Sequence, residues 1–130
     1  MQAETVALIV VKLAKAKEFL LMAQLALDGE LFDAAVSNAA TAAINAGDAL
    51  CLLSVGQHFS GGQHERAVSE LRQAGYRQES EQLSRILGVK TKAQYSGRRC
   101  TRQEADDAVK RAERLSESVT QKAEAAGVKS

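Results

Sequence analysis

The stretch from Ala34 to Leu53 reads AAVSNAATAAINAGDALCLL and decides the fold. Alanine is the strongest helix former, and its small side chain lets neighbouring helices approach closely. Apolar residues recur every three or four positions through the stretch and its flanks, as expected for one face of a helix. The stripe consists of Phe32, Ala35, Val36, Ala39, Ala43, Ala46, Leu50 and Leu53. This pattern predicts a closely packed helix over about 31–55.

A second long stripe precedes this helix. Its apolar positions alternate three- and four-residue steps, which is typical of a bundle helix over about 3–27. The stripe consists of Val6, Ile9, Leu13, Ala16, Leu20, Ala23 and Leu27. Asp28 and Gly29 end the helix, since glycine suits a left-handed cap. The connection is only a few residues long, so the two helices should form an antiparallel hairpin.

The middle of the chain predicts shorter elements. Residues 56–63, GQHFSGGQ, form a loop whose Gly61–Gly62 pair makes it flexible. Short helices follow over about 64–74, ended by Gly75, and about 79–87, ended by Gly88. Residues 89–100 are predicted to be a connection with one turn of helix near residues 92–95.

The last helix begins with a capping box, Thr101-Arg102-Gln103-Glu104. Here the Thr hydroxyl accepts from the Glu104 amide, and the Glu side chain accepts from the Thr101 amide. An alanine-rich stripe continues to about residue 126, after which the chain is predicted to fray. Three long and two short helices predict an all-α, up-and-down antiparallel bundle.

The composition is typical of one globular domain. The chain has 130 residues, 45% of them hydrophobic and 25% charged, and its net charge is +1. These values predict a single domain over 1–130 with its core in about 3–126. Cys51 and Cys100 have no CxxC spacing, and no signal peptide is present, which favours a cytoplasmic protein. The apolar run over residues 6–11 is too short to span a membrane, so no membrane association is predicted.

Polar residues in the alanine-rich helix are the first site candidates. Asn38, Asn45 and Asp48 interrupt a segment predicted to be packed, and buried polar groups cost free energy unless they are paired. Asn45 and Asp48 share a side of the helix. Either they face His64 or Lys92 as part of a ligand site, or they form a buried network that fixes helix register.

The two histidines offer acid–base chemistry. His64 could act as a general acid or base near neutral pH, or it could serve structurally at the start of its helix. His58 is predicted to lie exposed in the loop. His58, His64 and Glu65 match no established ligand spacing, so no metal is predicted. No phosphate-binding loop, dinucleotide-binding or hydrolase motif is present, and no cofactor is expected.

A basic segment lies before the last helix. Between residues 85 and 102 there is no acidic residue but there are six basic ones: Arg85, Lys90, Lys92, Arg98, Arg99 and Arg102. Lys92 could bind phosphate and Tyr95 could stack on a base, or the tyrosine could pack under the connection beside the lysine. Arg98 and Arg99 either bind phosphate at the helix amino end or are simply solvated.

Four places in the chain together resemble the HEPN superfamily of small α-helical domains. They are FLLMAQLALDGELFDAAVSNAATAA at the first helix junction, INAGDALCLLSVG ending the second helix, His64 after a glycine-rich loop, and RILGVKTKAQYSG with Lys92 and Tyr95. The resemblance spans roughly residues 5–120. It implies a dimer and, for many members, metal-independent ribonuclease activity.

The family's ribonuclease motif is an arginine followed after four to six residues by a histidine. In this chain the first arginine is Arg66, after both His58 and His64. The resemblance therefore implies a non-catalytic module that binds RNA, a nucleotide or a partner protein such as a nucleotidyltransferase, in a toxin–antitoxin or defence setting. The expected ligand site is a cleft near Asn45, Asp48, His64, Lys92, Tyr95, Arg98 and Arg99. The alternatives are a variant ribonuclease that uses His64 and a purely structural interaction protein.

Overall fold

The structure, a computed structural model, describes residues 1–59 and 62–129 and contains five α-helices within those ranges. They are α1 (Ala3–Asp28), α2 (Phe32–Val55), α3 (His64–Gln73), α4 (Arg77–Tyr95) and α5 (Arg102–Ala125). No strand occurs in either range. The predicted all-α bundle is therefore confirmed. Gly61 of the predicted flexible loop lies outside the described residues, whereas Gly62 has the left-handed φ of 87° that glycine adopts easily.

Helix α2 is the central element of the bundle. It packs against each of the other four helices, and most of its residues from Ala35 to Leu52 are buried. It packs tightly against α4 at Gly47, where an added Cβ would lie 3.0 Å from Cδ2 of Leu83. The prediction of a closely packed helix is therefore confirmed, because the small alanine side chains let several helices approach the α2 backbone.

The predicted inner stripes of the long helices are confirmed. On α1, Ile9, Leu13, Ala16 and Ala23 are buried, and the other stripe positions pack partly buried against the core. On α5, every predicted stripe residue is buried, namely Ala105, Ala108, Ala112, Leu115, Val119 and Ala123. One hydrophobic core draws on all five helices.

Helix α4 is longer than predicted. The sequence predicts its end at Gly88, but the helix continues to Tyr95. Glycine inside a helix costs only about 1 kcal/mol relative to alanine. Beyond it, Val89 and Ala93 pack against the core, and this burial offsets that cost. Four helices are consequently long, α3 is the one short helix among the described residues, and residues 92–95 form the last turn of α4.

The ends of α5 are both fixed by local interactions. The capping box of Thr101 and Glu104 is present as predicted. The predicted fraying after Ala126 is wrong as far as Val128, because the Val128 amide donates to the Ala123 carbonyl at 2.9 Å and its side chain is buried. Gly127, with φ of 87°, allows this reversal of the chain. The core therefore extends to Val128.

Candidate functional site

A charged pair lies at core depth where α1 crosses the carboxyl-terminal half of α2. Nζ of Lys12 is 3.0 Å from Oδ2 of Asp48, and the two side chains are 16% and 7% exposed. A carboxylate this buried requires a cationic or hydrogen-bonding partner. The predicted partners His64 and Lys92 do not fill this role, which belongs to Lys12. Lys12 is a lone cation within the apolar run of residues 8–13, a signal that the sequence analysis did not use.

His58 completes this cluster from the loop after α2. Its Nδ1 lies 3.9 Å from Oδ2 of Asp48, beyond hydrogen-bonding distance. That nitrogen is buried and has no hydrogen-bond partner among residues 1–59 and 62–129, although the side chain as a whole is 25% exposed. The neighbouring Phe59 is buried, and the Arg66 guanidinium of α3 lies 4.6 Å above its ring. The prediction that His58 is simply exposed is therefore wrong.

Two other polar or nucleophilic groups near Asp48 serve the structure. Asn45 donates from Nδ2 to the Thr41 carbonyl one turn earlier at 2.9 Å, so the predicted pairing of Asn45 with Asp48 is not formed. Burial, with the nearby Asp48 and Glu70 carboxylates, raises the pKa of the Cys51 thiol to about 12. The thiol is protonated at neutral pH and is a poor nucleophile.

A second candidate site is a groove between the start of α2 and the end of α4. Its volume is about 460 Å³, and it is lined by Asp33, Val36, Ser37, Lys90, Ala93, Gln94, Arg98 and Cys100. Lys92 and Tyr95 are exposed in the same turns of α4, and Tyr95 is 78% exposed. The interpretation in which Tyr95 packs under a connection is therefore wrong.

The arginines near this groove are paired with carboxylates from elsewhere in the chain. Arg98 binds both carboxylate oxygens of Glu104, at 2.9 and 2.8 Å. Nε of Arg99 lies 3.3 Å from Asp33, and Arg102 pairs with Glu30. Residues 85–102 contain no acidic residue, but in the folded chain carboxylates from outside this segment lie next to these arginines. Lys90 and Lys92 contribute the remaining positive charge at the end of α4.

The carboxylates of Glu104 and Asp33 are held ionised by their contacts in this segment. The Arg98 guanidinium, followed by the Thr101 amide, lowers the pKa of Glu104 from its usual 4.5 to about 2. The Cys100 amide donates to Oδ1 of Asp33 at 2.7 Å and is the main cause of the lowered pKa of that carboxyl. These bonds fix the Arg98–Thr101 segment along one edge of the groove.

The two sites lie apart on α2. Asp33 borders the groove and Asp48 holds the buried pair, fifteen residues further along the helix. At 1.5 Å per residue they are about 22 Å apart along the axis. The expected single cleft of Asp48, His64, Lys92 and Tyr95 is therefore not formed. His64 is the partly exposed first residue of α3.

The described residues were also compared with the requirements of a metal site and of a membrane-spanning helix. Residues 1–59 and 62–129 contain no group of three or more His, Cys, Asp or Glu side chains that could hold a metal ion. Within the same ranges, no helix is long and apolar enough to cross a membrane.

Comparison with known proteins places the chain in a family. The model of the HEPN domain matches residues 11–122, which include both candidate sites. The chain belongs to the HEPN domain family. No curated protein gave a significant match. In the sequence of this HEPN domain the first arginine, Arg66, follows both histidines.

Proposed function

We propose that this HEPN domain is a non-catalytic module that binds single-stranded RNA or a nucleotide at the groove between α2 and α4. The observation that carries the proposal is the exposed ring of Tyr95, 78% accessible, in the residue that follows Gln94 of the groove lining on α4. An exposed aromatic ring next to basic side chains is a stacking platform for a base. Lys90 lines the groove and Lys92 lies in the last turn of α4, where each can contact a phosphate.

The electrostatics of the groove favour a small or single-stranded ligand. Arg98 and Arg99 are occupied by Glu104 and Asp33, so few cations are available. The carboxyl end of α4 carries partial negative charge, which the lysines offset. Because duplex binding draws on many phosphate contacts, a site with two lysines and one aromatic ring suits one or two nucleotides.

Fluorescence anisotropy with a labelled single-stranded RNA, at low salt and over a salt series, tests the proposal. Tyr95→Ala should weaken binding by about tenfold, since stacking contributes about 1–3 kcal/mol per base. Tyr95→Phe should retain most of the affinity. Lys92→Ala should weaken binding and reduce its salt dependence. Lys129→Ala is the control, because Lys129 is exposed and follows α5.

Two results would overturn this site. One is the absence of any RNA or nucleotide binding at low salt. The other is tight binding that is unchanged by both Tyr95→Ala and Lys92→Ala.

A second candidate function is a variant metal-independent ribonuclease. The observation that favours it is the position of the His58 imidazole, a side chain of the kind that serves in acid–base catalysis, 3.9 Å from the buried Asp48 carboxylate. Cleavage of RNA in the presence of EDTA tests it. Loss of cleavage in His58→Ala supports this geometry, and loss only in His64→Ala supports the other histidine. Cleavage that survives both substitutions indicates a contaminating nuclease.

A further inference from the structure

A carboxylate lies beside the basic side chains of the groove between α2 and α4. Of the described residues that line this groove, Asp33 alone is acidic, and its side chain is 52% exposed. A carboxylate repels the phosphates that Lys90 and Lys92 can attract. The ligand of the groove must therefore present hydrogen-bond donors to Asp33, and in RNA or a nucleotide the donors belong to the base and the ribose.

The Asp33 carboxylate is held in place by the chain segment before α5. The Cys100 amide donates to Oδ1 at 2.7 Å, and Nε of Arg99 lies 3.3 Å from Oδ2. These bonds, chiefly that of the Cys100 amide, lower the pKa of the Asp33 carboxyl, so at neutral pH it accepts hydrogen bonds and donates none. An ionised carboxylate offers about four acceptor positions, and these two bonds use one on each oxygen. Each oxygen can therefore accept one more donor from a ligand.

Guanine has the base edge that fits such a carboxylate. It places two donors side by side on its Watson–Crick edge, the N1–H group and the N2 amino group. Adenine, cytosine and uracil each place an acceptor beside their donor, and a carboxylate repels that acceptor. Two parallel N–H···O bonds form a bidentate pair, which is stronger and more specific than a single hydrogen bond.

We propose that Asp33 makes the groove selective for guanine, with N1–H and the N2 amino group of the base donating to its two carboxylate oxygens. This inference rests on the proposed function, because it names the base that the bound RNA or nucleotide carries. Tyr95 follows Gln94 of the groove lining, and its exposed ring stacks on the base that Asp33 reads. The Gln94 amide group supplies a donor for the guanine O6 carbonyl.

Competition by nucleoside monophosphates tests the choice of base on the unaltered chain. Each competitor displaces a labelled single-stranded RNA at low salt, and fluorescence anisotropy gives its affinity. GMP should bind about tenfold more tightly than AMP, CMP or UMP, because one bidentate pair discriminates between bases by about this factor. IMP differs from GMP only in lacking the N2 amino group, and it should lose most of this advantage.

Short oligonucleotides distinguish a free nucleotide from a strand. A uridine oligomer that carries one guanine is compared with the same oligomer carrying adenine or hypoxanthine at that position, and guanine should be preferred. If GMP and the guanine oligomer bind equally, the groove takes a mononucleotide. If the oligomer binds more tightly, neighbouring phosphates contact Lys90 or Lys92. Either result supports selectivity for guanine.

Asp33→Asn supplies a test that a merely structural role would not pass. The amide keeps an acceptor for the Cys100 amide, but it donates where the carboxylate accepts. Xanthine carries a carbonyl oxygen in place of the guanine amino group. XMP should therefore bind Asp33→Asn more tightly than GMP does, whereas the unaltered chain should prefer GMP. Ratios between bases are compared, because loss of the negative charge favours every phosphate alike.

Asp106→Asn is the matched control for this substitution. Asp106 is also a partly exposed aspartate, 2.9 Å from Nζ of Lys110, but it does not line the groove. The variant should keep the preference for GMP over both XMP and AMP. The helical signal of both variants should match that of the unaltered chain.

Three results would overturn guanine selectivity while the proposed function stands. One is equal affinity for all bases with binding that Tyr95→Ala still weakens. Another is a preference for guanine that survives in Asp33→Asn. The third is a loss of affinity on removal of the ribose 2′-hydroxyl that is equal for all bases and absent in Asp33→Asn, since Asp33 would then hold the ribose. No binding of any nucleotide or RNA at low salt would overturn the proposed function and the selectivity together.

Discussion

At the scale of single residues, the burial of Asp48 could be predicted from the sequence, whereas its partner could not. A carboxylate in an alanine-rich helix is conspicuous, so its burial could be predicted. Its partner could not, because the choice among Lys12, His64 and Lys92 depends on how α1 and α2 are rotated about their axes. Lys12 faces Asp48 only because the inner stripe of α1 turns toward α2.

Removing the Asp48 charge should destabilise the fold. Asp48→Asn leaves the largely buried Lys12 ammonium without its carboxylate, and we expect a loss of about 1–3 kcal/mol in the free energy of unfolding. Lys12→Met in the Asp48→Asn background should recover part of that loss. Urea denaturation of the four proteins in this double-mutant cycle measures the coupling. Additive effects of the two substitutions would contradict a direct pair.

The capping box should make stability depend on pH in the acid range. The folded pKa of Glu104, about 2, lies below its usual 4.5, so its stabilising contribution is complete above pH 4.5 and is lost as the pH falls toward 2. Glu104→Gln should therefore be less stable than the unaltered chain at pH 7 and nearly equal to it at pH 2. Thermal melts across this range measure the difference. Glu117→Gln, an exposed change on the same helix, should show little effect at any pH.

At the scale of helices, the alanine content of α2 sets how tightly its neighbours pack. Ala46 is fully buried, and Ala46→Leu would force several methyl groups into a filled space. Overpacking of this kind costs about 1–3 kcal/mol. Ala34→Leu on the same helix is the control, since Ala34 is exposed and the change should lie within about 0.5 kcal/mol. Urea midpoints that fall equally for both variants would contradict the close packing of α2.

The helices themselves were largely predictable, and the exception is informative. Stripes, caps and glycines located four helices to within a few residues, because these signals are local. The end of α4 could not be located, since Gly88 is a local stop signal that the packing of Val89 and Ala93 overrides. That burial is a property of the folded bundle rather than of the segment.

At the scale of the whole molecule, folding redistributes the charge. Residues 85–102 form the one long basic segment of the sequence, yet Asp33, Glu30 and Glu104, all outside the segment, pair with its last three arginines. The sequence shows where the cations lie along the chain, but it could not predict which carboxylates would pair with them in the fold. The candidate site therefore consists of an exposed tyrosine and two lysines, and not of the whole basic segment that the sequence predicted.

The central position of α2 has a consequence for hydrogen exchange. Because four helices cover it, the amides from Ala39 to Leu50 can reach solvent only when the whole bundle opens. They should exchange with deuterium at the rate of global unfolding. Helix α3 is short and, within the described chain, packs against α2 and α4 alone, so its amides should exchange sooner. Mass spectrometry of peptides after deuterium labelling would order the helices by protection, with α2 the last to exchange.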